Sequence, residues 1–236
     1  MQILTDIHTH TLATPHAYST VTENVKRASE IGLEAIAVTD HSGGLDAPHE
    51  WHFLNLKALP KELFGVRILK GIETDITDIH GNLDMRDDVL KTMDIVIASV
   101  HRPTYKALGT EDNTEAYMNA LENPYTDILG HSGYPEVKYD YEAVIKRAKE
   151  LGKMIEINQG TFGVRKPSIP NCREIALLCK KHGTFICVNS DAHFCTNLCK
   201  RVDAIKMLLE IDFPKELIAN RSLESLREFL APRKTI

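Results

Sequence analysis

Residues 2–10 read QILTDIHTH: a short apolar and β-branched run that ends on His8, with His10 two places further on. Runs of the same kind recur at 34–41 (EAIAVTDH), 66–76 (VRILKGIETDI), 94–101 (DIVIASVH), 127–131 (DILGH), 154–159 (MIEINQ) and 184–193 (TFICVNSDAH). Between them lie amphipathic stretches. Residues 22–31 put Val25, Ala28 and Ile31 on one helical face and stop at Gly32, a residue suited to a helix C-terminus. Residues 114–122, 141–151, 171–181, 202–209 and 223–230 read as further helices. Near-continuous apolar strands that alternate with helices predict an α/β fold with a parallel, helix-covered sheet. Seven such units in 236 residues predict a closed or nearly closed (β/α) barrel, a single domain over 1–236. A doubly wound open sheet is the alternative. No G-x-G-x-x-G follows the first run, which weakens the dinucleotide-binding version of that sheet.

The ends of the runs carry the chemistry. The first ends on His8, the second on Thr39-Asp40-His41, the fourth on His101, the fifth on His131 and the seventh on Asp191-Ala192-His193, while the third carries Glu73 and Asp75 near its end. In a parallel barrel every strand C-terminus emerges on one face, so these side chains are expected to converge on one small volume. His8 and His10 have the i, i+2 spacing that turns two strand residues to the same side. Asp191 and His193 repeat that spacing on the last run. His49, His52, His80 and His182 fall in loops or helices and are read as structural.

The candidate metal ligands are His8, His10, His16, His41, Glu73, His101, His131, Asp191 and His193. They are too many for one tetrahedral ion with an open position, which takes about three protein ligands. If one carboxylate bridges, they divide as four, three and three, which favours a cluster of two or three ions. Imidazoles with a few carboxylates suit Zn first, with Mn or Fe as alternatives. Such a cluster favours an anionic substrate with several oxygens, above all a phosphate. It would lower the pKa of a water and stabilise a leaving alkoxide. Glu73, Asp191 and Asp40 are the candidate catalytic carboxylates, Asp40 as a residue that orients a neighbouring histidine or relays a proton. Arg165, in the loop after the sixth run, and Arg102, next to His101, are candidate phosphate contacts.

Composition narrows the function classes. A net charge of −5 and a pI near 6.1 do not suggest a nucleic-acid binder, which shows a basic balance or stripe. No basic segment followed by an apolar core opens the chain, so no secretory signal is expected, and no apolar stretch nears the roughly 20 residues of a membrane span. The five cysteines are odd in number and form no C-x-x-C pair, so reduced thiols and a cytoplasmic location are expected. The Cys195–Cys199 spacing as a metal or redox pair is the weaker reading. The expected partner is a small phosphorylated metabolite, with no nucleic acid and no membrane; a homo-oligomer is compatible with the sequence.

The motifs DIHTH (6–10), TDH (39–41), GIE (71–73), SVH (99–101), GH (130–131) and SDAH (190–193) resemble, in order, those of the PHP (polymerase and histidinol phosphatase) family of metal-dependent phosphoesterases. PHAYS (15–19), DAPHEWHF (46–53) and NCRE (171–174) resemble its YcdX-type bacterial phosphatases. The resemblance implies a distorted TIM-like (β/α)7 barrel and three divalent ions. It also implies a partition of ligands: His8, His10, Glu73 and Asp191 on the first ion, Glu73 with His101 and His131 on the second, His16, His41 and His193 on the third. The implied activity is a phosphatase acting on a small phosphate monoester, with histidinol phosphatase or a phosphodiesterase or nuclease as alternatives. An amidohydrolase is disfavoured, because the fourth run ends Ala98-Ser99-Val100-His101 without the lysine such barrels use as a bridge. A non-catalytic metal store predicts binding without turnover.

Overall fold

The structure is a computed structural model and describes residues 1–45, 48–198 and 201–236. Seven parallel strands form its sheet, in the order β1 (Thr5–Thr9), β2 (Ala35–Val38), β4 (Val66–Asp75), β5 (Ile95–Ser99), β6 (Ile128–Leu129), β7 (Met154–Asn158) and β8 (Ile186–Asn189). A short β3 (Glu62–Leu63) pairs antiparallel with β4. The helices between strands are α1 (Val21–Glu30), α2 (Glu50–Asn55), α3 (Asp87–Leu90), α4 (Thr110–Glu122), α5 (Tyr141–Glu150), α6 (Gly160–Gly163) and α7 (Ile169–His182), and α8 (Val202–Glu210) and α9 (Leu223–Leu230) follow β8. Sequence order is spatial order along the parallel path, as expected of a nearly closed (β/α)7 barrel.

Strand alternation sorts the side chains. Outward-facing Ile36, Val38, Ile68, Ile72 and Val96 pack under α1, α2 and α3. Outward-facing Ala98, Leu129, Ile155, Ile157, Ile186 and Val188 pack under α4, α5, α7 and α8. Inward-facing Ala37, Leu69, Ile95, Ile97, Ile128, Met154 and Cys187 fill the lower barrel, which Leu226 and Leu230 of α9 plug from below. One layer higher on the same inward faces stand Thr39, Glu73, Ser99, Glu156, Asn158 and Asn189, all buried. The interior is thus apolar at its base and polar at its top, and the polar layer is the floor of the site.

Closure between β1 and β8 is partial. At the top Thr9 bridges Ala192, and the Asp191 N–H donates to the His8 carbonyl at 3.1 Å. Lower down the side chain of Asn220 stands in for a ladder: its amide donates to Val188 O (3.0 Å) and Thr5 O (3.3 Å) and its carbonyl accepts from Val188 N (2.9 Å). The guanidinium of buried Arg201 donates to Thr5 O, Val188 O and Ile3 O. Asn220→Ala is expected to cost about 2–4 kcal/mol, because it leaves several buried backbone groups without partners; urea unfolding would read this as a lower midpoint at unchanged slope.

The elements depart from the sequence reading in two places. The run 184–193 is strand only to Asn189, and Asp191 turns the chain with φ of +56°. Asp191 and His193 therefore do not repeat a strand spacing; a left-handed residue, not pleat alternation, aims them. The segment between β2 and β5 also holds β3, α2 and α3, which are too short for a periodic pattern to show. The four described cysteines are free, and Cys199 lies outside the described residues. No helix among the described residues is long and apolar enough to cross a membrane.

Candidate metal centre

Glu73, near the end of β4, lies at the centre of the strand-end histidines. Its Oε2 lies 3.1 Å from His8 Nε2, 3.4 Å from His10 Nε2 and 3.0 Å from His41 Nδ1. Its Oε1 lies 2.9 Å from His131 Nε2 and 3.5 Å from His101 Nε2, and accepts from Ser99 Oγ at 2.7 Å. One carboxylate therefore has a different group of imidazoles at each oxygen, which is the arrangement a bridging ligand needs. Asp191 Oδ1 completes the first side, 3.1 Å from His10 Nε2 and 3.5 Å from His8 Nε2. His16, His41 and His193 gather at the outer edge, with ring centres 4.8–6.1 Å apart. All nine sequence candidates thus come together.

The partition is less simple than the resemblance implies. Ligand atoms within 4.8 Å of one another group His10 with His41 and His193, His8 with His10 and Asp191, and His41 with Glu73 and His101. His10 and His41 each belong to two groups, while His131 and the exposed His16 belong to none. Two of the candidates sit on unusual backbone, His131 at φ +20° and Asp191 at φ +56°. Such conformations cost energy and persist where the surroundings over-determine them.

A second layer fixes the imidazoles. His8 Nδ1 donates to Glu156 Oε1 at 2.7 Å, and His101 Nδ1 donates to Asp75. His193 Nδ1 donates to the Asp191 carbonyl at 2.9 Å. Each bond puts the proton on Nδ1 and leaves the Nε2 lone pair free for a ligand role. Glu156 was the residue the sequence reading passed over. The available signal was a carboxylate at an inward position of the otherwise apolar run MIEINQ.

Asp40 is buried behind this layer and does not reach the cavity. It accepts from Thr11 N (2.7 Å), Thr11 Oγ1 (2.7 Å), Thr14 Oγ1 (2.9 Å) and His52 Nε2 (3.2 Å). Burial pushes its carboxyl up, but the His52 and Thr11 bonds and the His10 charge hold it down at about 2. Thr14 Oγ1 in turn lies 3.4 Å from His10 Nδ1. Asp40 is a positioning group for the β1–α1 loop, and His52, placed by α2, supports it. Asp40→Asn is expected to cost about 1–3 kcal/mol in chemical denaturation, because an amide NH2 would face donors.

Charge and burial favour a cation here. Burial pushes His10 down to about 3 and lowers His16 and His131. For His8 and His101 burial also pushes down, but the surrounding carboxylates win and raise both. Glu73 and Asp191 are held well below the carboxylate range: burial raises them, and the histidines, with Arg165 at Asp191, outweigh it. Ionised carboxylates among imidazoles are the form a divalent ion binds. His8 Nε2, His41 Nδ1 and Glu73 Oε2 are moreover buried without a hydrogen-bond partner although they point at one another. Unsatisfied buried polar atoms are costly, and bound metal ions would satisfy them. The donor set fits one.

Above the ligands opens a cavity of about 460 Å³, lined by His16, His41, His101, His131 and His193 on one side and by Tyr134, Arg165 and the Arg102–Glu136 pair on the other. Arg165 Nη2 donates to Asp191 Oδ2 and Asn158 Oδ1, both at 2.8 Å, while its Nε is buried without a partner. Arg102 is different: 70% of its side chain is exposed and it donates to Glu136 at the mouth.

The family model described as PHP domain matches residues 6–164. A probable phosphatase of Clostridium novyi (strain NT) is 46% identical over 233 residues, covering 98% of this chain and 95% of that one. A probable phosphatase of Acetivibrio thermocellus is 44% identical, covering 99% and 98%. The solved structure of histidinol phosphate phosphatase from Lactococcus lactis, complexed with Zn, L-histidinol and phosphate, superposes with a TM-score of 0.65 at 19% identity, over 92% of this chain and 96% of that one; at that identity the likeness is one of fold. With the family model spanning the first strand through the loop after β7, and relatives that match nearly end to end, the chain belongs to the PHP domain family.

Proposed function

We propose that this protein is a phosphatase that hydrolyses a small phosphate monoester at the metal centre described above, with three divalent ions, Zn first among them, held by His8, His10, His16, His41, Glu73, His101, His131, Asp191 and His193. The observation that carries the proposal is the set of buried, partnerless ligand atoms around Glu73 at the floor of a cavity whose wall is Arg165. The relatives named probable phosphatases support it. When bound, the ions supply Lewis-acid polarisation of the phosphate and a water of lowered pKa.

The chain's own residues then have separable tasks. Glu73 holds both groups of imidazoles to one carboxylate. Asp191 presents Oδ1 to His8 and His10 while Arg165 holds its Oδ2. Arg165 at the cavity wall brings a guanidinium to a phosphate oxygen. The cavity admits a small alcohol or phenol as the leaving portion, and the exposed Arg102–Glu136 pair marks its outer limit.

The test is metal analysis of the purified chain followed by assays on p-nitrophenyl phosphate, its bis ester, histidinol phosphate and single-stranded DNA. Turnover of monoesters well above that of the bis ester and of DNA is expected. Equal rates on DNA, or full activity with fewer than two ions per chain, would overturn the proposal. Activity confined to histidinol phosphate would narrow the substrate to that compound.

A further inference from the structure

We propose that Glu156 is a positioning residue that couples the ligands on the two sides of Glu73, so that both sides lose metal affinity together when it is altered. The proposal rests on the metal-centre reading above and goes beyond its ligand set. Glu156 sits on the inward face of β7, 3% exposed. Its Oε1 accepts from His8 Nδ1 (2.7 Å) and Asn189 Nδ2 (2.8 Å). Its Oε2 accepts from the backbone N–H of His131 (3.0 Å) and from Asn158 Nδ2 (3.0 Å). All four partners donate, so only an ionised carboxylate satisfies them. An amide would turn its NH2 against two donors.

The four bonds lead to different parts of the site. The bond to His8 aims Nε2 at Glu73 Oε2 and Asp191 Oδ1, at 3.1 Å and 3.5 Å. The bond to the His131 N–H holds a backbone at φ +20° and with it the ring whose Nε2 lies 2.9 Å from Glu73 Oε1. The bond to Asn158 fixes a side chain that also holds Arg165 and lies 3.3 Å from Asp191 Oδ2. Asp75, by contrast, supports His101 alone among the ligands. A carboxylate under one histidine should tune one ion position; Glu156, under two, should tune both.

Zn²⁺ binding to the full chain, followed by competition with a chromogenic chelator, tests this. Far-ultraviolet circular dichroism at the same temperature shows that each metal-free variant is folded. Glu156→Gln is expected to weaken two of the wild-type positions by about 10–100-fold, and Asp75→Asn to weaken one, the usual effect of losing a ligand's outer partner. Glu156→Asp keeps the acceptors but withdraws them by one methylene. It should weaken the same two positions by less, and it carries the test if Glu156→Gln does not fold. Wild-type affinity at every position in Glu156→Gln, or loss at one position only, would overturn the coupling. A wild-type chain that holds fewer than two Zn²⁺ would overturn the metal-centre reading itself, and this coupling with it.

Discussion

Glu73→Gln is expected to lower kcat on a phosphate monoester by on the order of 10³-fold, with little change in the fold. The size follows from the several kcal/mol that metal polarisation supplies, at about 1.4 kcal/mol per tenfold. Glutamine has the same shape but only one ligand oxygen. Whichever way the amide turns, its NH2 faces either the His8, His10 and His41 side or the His101 and His131 side. One group of imidazoles thereby loses its shared carboxylate, and a negative charge is removed from among five histidines. Bound metal should fall along with turnover. A variant that retains more than about a tenth of wild-type turnover, in a scale where one lost electrostatic contact costs 10²–10³-fold, would show that Glu73 does not bridge.

Arg165→Met is expected to reduce kcat/KM by about 10²–10³-fold, the usual cost of one preorganised donor at a developing oxyanion. Two losses combine: the cavity wall loses its guanidinium, and Asp191 Oδ2 loses its partner at 2.8 Å. Arg165→Lys should recover little. The guanidinium spans Asp191 and Asn158 and still offers a further N–H, which a single ammonium on a flexible stem does not reproduce. Arg102→Met, on the exposed rim, should change kcat/KM less than threefold, in keeping with the small worth of surface ion pairs. Steady-state kinetics on p-nitrophenyl phosphate would rank the three. An Arg102 effect equal to that of Arg165 would move the phosphate contact to the mouth of the cavity.

Glu156 and Asp75 show why part of the site was hard to read from the chain. A candidate ligand histidine at a strand end announces itself because an imidazole is unusual there, and five such ends agree. An outer carboxylate is one acidic residue among 33, and nothing local separates Asp75, which holds His101, from Asp78, which caps its own surface turn. The same limit applied to the arginines. Arg165 and Arg102 both follow strand ends, but one is turned inward by α6 and the loop that follows it, and the other ends on Glu136 in solvent. Asp40, next to a ligand in sequence, proved to point away from the cavity and into the threonines of the β1–α1 loop.

The order of apolar runs and helical stretches was enough to establish the barrel, because in a parallel sheet that order leaves few ways to bury both faces of every strand. The repeated strand-end histidines were enough to predict that candidate metal ligands gather at one place, because parallel strands bring their ends to one rim. Distances between side chains far apart in the chain are set by packing alone. Only the tertiary structure therefore decided which oxygen of Glu73 faces which imidazoles, that Asp191 is aimed by a left-handed turn beyond β8, and that Glu156 lies beneath both halves of the cluster.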